Sequence, residues 1–161
     1  MNSFEEVYLN NKRLDDIFME KYEKCEPQLF EKNCLEFLTE LGEFANESKC
    51  FKYWSIKKPK KDEMLEEFAD CITMALYFFN YLDLELKDLP KPLENKDILL
   101  QFDYLFKQCS KLMLDCNEVL VKDIYVNLLH LGLLFELTET EIIEAIRLKH
   151  NKIEERLNSD Y

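Results

Sequence analysis

The sequence predicts an all-α protein, a bundle of about five to six helices. Three observations carry that expectation. Apolar residues recur at helical spacing along most of the chain. Only 2 glycines occur in 161 residues, while 47% of residues are hydrophobic and 34% are charged. Thr138-x-x-Glu141, just ahead of an apolar-periodic stretch, is a capping box that opens a helix. The length suits one domain with a sizeable core, so residues 1–161 are expected to form a single all-α domain.

The first helix is expected from Phe4 to about Tyr22, where Val7, Leu14, Ile17 and Phe18 recur near helical period. Pro27 suits the first position of a second helix, because its missing N–H costs nothing there. That helix should run to about Lys49. Phe51 to Lys61 has no helical period and ends in Lys57-Lys-Pro-Lys-Lys61. Asp62 is expected to cap a third helix, with acids in its first turn that suit the helix dipole. Asp83 to Asn95, with Pro90 and Pro92, reads as a connection. Ile98 to about Asp115 and Val119 to Glu136 supply two more helices. The second of these is apolar nearly all round, which predicts burial, and a homodimer interface is one way to cover it. His130, inside that run, reads as a satisfied core or interface histidine.

The formal net charge of −12 argues against a nucleic-acid partner, since a phosphate backbone needs Lys and Arg to replace its counterions. The 6 cysteines include no Cys-x-x-Cys pair and read as reduced thiols of a cytoplasmic protein. The N-terminus lacks a basic region followed by an apolar core, and the apolar run around Cys71 to Tyr81 is too short to span a membrane.

Chemistry concentrates between Leu35 and Leu82. Residues three or four apart share a helix face, which aligns Glu36, Glu40, Glu43 and Glu47 on the second helix and sets Leu35, Leu38, Leu41 and Ala45 on the other side. On the third helix Glu63, Glu66, Glu67 and Asp70 share a face, opposite Leu65, Phe68, Ile72, Leu76 and Phe79. A solvated surface is the simple account of either stripe alone. Two such stripes facing one another would raise each other's pKa values unless a cation sat between them. Helix bundles build metal sites from carboxylates on facing helices. Oxygen ligands suit a hard cation, Mg²⁺ or Mn²⁺.

The run Glu40-Leu-Gly-Glu43-Phe-Ala-Asn46-Glu47, then Phe51-Lys52-Tyr53-Trp54-Ser55, then Leu65-Glu66-Glu67-Phe68-Ala69-Asp70, resembles the all-α, dimeric dUTPases among the MazG-like nucleotide pyrophosphatases. The resemblance implies a homodimer that hydrolyses dUTP, a deoxyuridine nucleotide, to dUMP and pyrophosphate. Glu40, Glu43, Glu67 and Asp70 would hold Mg²⁺, and Glu43 or Glu47 would take the proton of the attacking water. It also implies Asn11, one methylene shorter than the family's glutamine, as a reader of the uracil ring. Asn46 and Trp54 would meet the base or sugar, and Lys52 the phosphates.

The family's tail runs roughly Ala-Tyr-x-x-Lys-x-x-x-Asn-x-x-Arg-Gln-x-x-Gly-Tyr and closes over the phosphates. Lys149, Arg156 and Tyr161 match it and become substrate-binding candidates. Ile146, Ile153, Leu157 and Asp160 depart from it. Those departures keep two alternatives open: a pyrophosphatase for another nucleotide such as dCTP, and a noncatalytic helical interaction protein.

Overall fold

The computed structural model describes residues 3–24 and 26–159. Among these the chain forms six α-helices and one π-helical turn. They are α1 (Phe4–Phe18), running into the π turn Met19–Glu23, then α2 (Leu29–Ser48), α3 (Lys61–Tyr81), α4 (Ile98–Lys111), α5 (Glu118–Leu134) and α6 (Glu139–Asn158). No helix among the described residues is long and apolar enough to cross a membrane.

α3 is the central helix. It buries Phe68, Ala69, Cys71, Ile72, Ala75, Leu76, Phe78 and Phe79, and packs against α1, α2, α5 and α6. Such burial round most of its circumference leaves only a narrow strip, near its N-terminal half, for charged residues.

α2 buries Phe37, Leu41, Phe44 and Ser48 in one stripe, with Cys34 and Ala45 on one flank. At about 100° per residue, Glu36, Glu40, Glu43 and Glu47 fall on the other flank. The acidic stripe thus borders the buried face instead of opposing it. Leu35 was expected on the core side but lies about 160° from Phe37 by the same count, and it is 62% exposed.

Two helix starts differ from expectation. Pro27 lies in a turn, because Gln28 adopts a left-handed conformation (φ 58°) and α2 begins only at Leu29. Asp62 does not cap α3. Extended Lys60 holds the cap position, which places Asp62 and Glu63 inside the first turn, where their charge complements the dipole. α4 stops at Lys111, short of Asp115. The capping box at Thr138 and Glu141 forms as expected, with both reciprocal hydrogen bonds present.

The connection after α3 is pinned to the bundle. Tyr8 donates to the Leu84 carbonyl at 2.7 Å, and Leu93 N–H donates to Asn127 Oδ1 at 3.1 Å. His130 is a satisfied histidine, with Nε2 2.5 Å from the Asn95 carbonyl oxygen. α5 is not covered all round: Val119 and Leu133 are 77% and 63% exposed. The described cysteines are free thiols, with Cys34, Cys71 and Cys109 buried, and Cys25 lies outside the described residues.

α5 lies against the Phe68 ring of α3 at Gly132. A Cβ there would lie 2.7 Å from Cζ of Phe68, a fully buried ring wedged against Phe44. Overpacking of this kind costs about 1–3 kcal/mol, against a helix-propensity gain of about 1 kcal/mol for alanine. Gly132→Ala is therefore expected to lower stability by about 1 kcal/mol in a denaturant titration, and a more stable variant would refute this close approach.

Candidate active site

The acidic flank of α2 and the exposed strip of α3 meet. Glu40, Glu67 and Asp70 each present a carboxylate oxygen within 4.8 Å of the others, and all three are partly buried. Glu40 arrives from the edge of the buried stripe of α2, and Glu67 and Asp70 from adjacent positions on α3. The family pattern adds Glu43 to this set. Glu43 is exposed and lies outside the triad, although its charge and a hydrogen bond to Glu40 still act on that residue.

Burial pushes the Glu40 carboxyl up to about 7, helped by Asp70 and opposed by Lys149. Glu67 is raised by burial, then by Asp70 and Glu43. Asp70 is raised as well, although Lys149 Nζ sits 2.7 Å from its Oδ2. For Asp70 the loss of solvation outweighs the Lys149 ammonium beside it and the weaker pull of Lys152. The cluster is therefore short of positive charge.

The other two oxygens of this pair say the same. Glu40 Oε2 and Asp70 Oδ1 are buried, and neither has a hydrogen-bond partner among the described residues. Buried orphan acceptors are rare and call for an ion or a water. The donor set is all carboxylate, with no imidazole or thiolate in it, and suits a hard divalent cation. The triad fits such an ion.

Glu40 and Asp70 also line a cavity of about 180 Å³ between α1, α2, α3 and α6. Its polar lining includes Asn11, Asn33, Glu36, Thr73 and Tyr77, with Lys149 and Arg156 contributed by α6. Asn11 is 3% exposed, so it is no surface asparagine. Its Nδ2 donates to Asp15 Oδ2 at 3.0 Å, and its Oδ1 accepts from His150 Nε2 at 3.0 Å. Asn33 Nδ2 donates to the Tyr77 hydroxyl at 2.8 Å on the same wall. Burial also raises the Glu36 carboxyl.

Of the expected site residues, then, Asn11, Glu40, Asp70, Lys149 and Arg156 gather at the cavity, and Glu67 joins them through the triad. Asn46 is exposed, with its Nδ2 3.4 Å from Glu47 Oε1. Glu47 reaches toward Glu63 and Glu67. Trp54 is 64% exposed and packs edge-on against Phe51 and Tyr53, and neither it nor Lys52 lines the cavity. Tyr161 and Asp160 lie outside the described residues.

Asn33, Glu36, Thr73, Tyr77 and His150 belong to the site or its backing without having been singled out in the sequence. Glu36 does sit in the acidic stripe, and His150 directly follows Lys149, which are the only local signals for either.

A family model described as dUTPase matches residues 3–161. The chain belongs to the dUTPase family. It is an all-α member, and membership implies a hydrolase acting on a nucleotide. No curated protein matches the chain.

Proposed function

We propose that this dUTPase-family chain hydrolyses dUTP to dUMP and pyrophosphate with Mg²⁺, or Mn²⁺ in its place. The carrying observation is the carboxylate triad of Glu40, Glu67 and Asp70 at the edge of a cavity with a buried amide, Asn11, in its wall. A cavity of that kind suits a base, and a charge-deficient carboxylate cluster beside it suits the metal that accompanies a triphosphate.

Glu40, Glu67 and Asp70 would hold the cation, with Glu43 close enough to join them. When bound, the cation supplies charge that neutralises phosphate oxygens and makes water a better nucleophile. Glu43 or Glu47 would accept the water's proton, since Glu43 is exposed beside Glu40 and the charge of Glu47 acts on Glu67. Lys149, released from Asp70, and Arg156 would face the phosphates as they line the same cavity. Asn11 would read the base, Asn46 would meet the base or sugar, and Tyr161 would belong to the tail that closes over the phosphates. Contacts from Trp54 to the base and from Lys52 to the phosphates require segment 49–60 to approach the cavity. We assign the whole activity to one all-α domain in a cytoplasmic homodimer, whose interface would cover the apolar residues α5 leaves exposed.

Pyrophosphate release with Mg²⁺ from dUTP, dTTP, dCTP and UTP in parallel tests this. Release from dUTP ahead of the others is expected. Release from dCTP instead would keep the site and change its substrate. Mg²⁺ binding without release from any of the four would end the enzymatic reading in favour of an interaction protein.

A further inference from the structure

Asn11 is held from behind by a hydrogen-bond chain whose direction is forced at both ends. Arg13 Nε can only donate, and it bonds Asn10 Oδ1 at 3.0 Å. Asn10 Nδ2 is then the group that faces His150 Nδ1, again at 3.0 Å, and it must donate. An imidazole accepting at Nδ1 carries its proton on Nε2. That nitrogen donates to Asn11 Oδ1 at 3.0 Å. At the far end, Asn11 Nδ2 meets two acceptors, the Asp15 carboxylate at 3.0 Å and the Thr73 carbonyl at 3.5 Å. Both ends demand the same orientation of every amide and ring between them.

His150 itself does not line the cavity, and it is only 2% exposed. Burial keeps the ring neutral, with its pKa lowered to about 4, and the Arg13 charge pushes the same way. A neutral ring that accepts from Asn10 at Nδ1 can only donate to Asn11 from Nε2.

We infer that His150 is the positioning residue for base selectivity: by pinning Asn11 Oδ1, it commits the cavity-lining amide to present Nδ2–H, a donor that reads a carbonyl on the base. The 3.5 Å approach to the Thr73 carbonyl is long for an N–H···O bond, so that proton is the one a ligand carbonyl can take over. A uracil ring offers a carbonyl oxygen where cytosine offers an amino group. Facing the Asn11 donor, the amino group would leave two donors opposed and unpaired. This assignment rests on the dUTP reading above.

The test is calorimetric binding of the α,β-imido analogues of dUTP and dCTP, in Mg²⁺, to the wild type, His150→Leu and His150→Gln. Glutamine restores an N–H close to the position of imidazole Nε2, whereas leucine fills the space and donates nothing. The wild type is expected to favour the uracil analogue. His150→Leu should lose about tenfold of that preference, chiefly by weaker binding of the uracil analogue, and His150→Gln should keep most of it. A purely structural role would shift the melting midpoint and leave the ratio alone. Nitrogen-15 NMR of the wild-type ring gives a second reading that needs no variant: Nε2 protonated and Nδ1 bare is expected, and the reverse overturns the inference. So does an unchanged ratio in a folded His150→Leu protein, which leaves the dUTP reading standing. A wild type that favours the cytosine analogue overturns both, and a wild type that binds the uracil analogue selectively yet never turns over dUTP overturns the enzymatic reading alone.

Discussion

Asp70→Asn is expected to lower pyrophosphate release from dUTP by about a thousandfold or more while leaving the fold intact. The size follows from what the side chain does in the proposed reaction. Asp70 contributes one of the three converging carboxylates, carries a buried oxygen without a partner and holds Lys149 at 2.7 Å. An amide in its place removes one full charge from the cation's ligands and offers its N–H₂ donors where an acceptor is needed. A loss of about 4 kcal/mol in transition-state stabilisation corresponds to that thousandfold.

Unfolding is not the expected cause. The carboxylates of the triad repel one another and are poorly solvated, so removing a charge relieves the metal-free fold even as Lys149 loses its partner. Sites of this kind exchange stability for activity. The measurement pairs the hydrolysis rate with the melting midpoint in chelator. A variant that retains a tenth of wild-type activity would remove Asp70 from the metal set, and one that fails to melt cooperatively in chelator would show that the residue matters to folding first.

The helices were legible in the sequence because apolar period survives in most of them, α5 reads as a long apolar run, and α6 also carries its own start signal in Thr138 and Glu141. The start of α2 was not legible. It depends on a left-handed Gln28, and neither Gly nor Asn marks the position. The triad was half legible. Spacing placed Glu40, Glu43, Glu67 and Asp70 on two helix faces, but only the packing of α2 on α3 decides which of them converge. Three residues amount to about 300° of helix, so Glu43 stands some 60° round from Glu40, on the solvent side. The cavity was least legible. Asn11 of α1, in its wall, is backed by His150 of α6, 139 positions away, and no local pattern encodes such a pairing. The exposed Trp54 shows the converse, a residue type suited to stacking on a base that the local turn holds against its own neighbours.

Saturating Mg²⁺ is expected to raise the melting midpoint by about 5–10 °C at pH 8, and by less at pH 6.5. Free ligand at a hundred times its Kd stabilises by about 2.7 kcal/mol, and about 2–4 °C accompanies each kcal/mol for a chain of this size. The pH dependence comes from Glu40. Its folded pKa of about 7 lies above the ordinary 4.5, so the native state binds its proton more tightly than the unfolded chain. The stability this gives the metal-free protein is present in full below 4.5 and is lost as pH rises through 7. Glu36, Glu67 and Asp70 are raised too and act with the same sign. His150 opposes them: its pKa is lowered from 6.5 to about 4, so its contribution grows as pH rises through 6.5 and levels off about one unit above it. Between pH 6.5 and 8 Glu40 loses about 0.8 kcal/mol and the second half of the His150 titration returns about 0.4 kcal/mol, so in chelator the midpoint should fall by roughly 1 °C. The cation needs those carboxylates deprotonated, so its own stabilisation grows over the same interval. Glu40→Gln should flatten both trends. A wild-type midpoint that rises in chelator from pH 6.5 to 8, or a Mg²⁺ effect of the same size in Glu40→Gln, would place the cation somewhere other than this cluster.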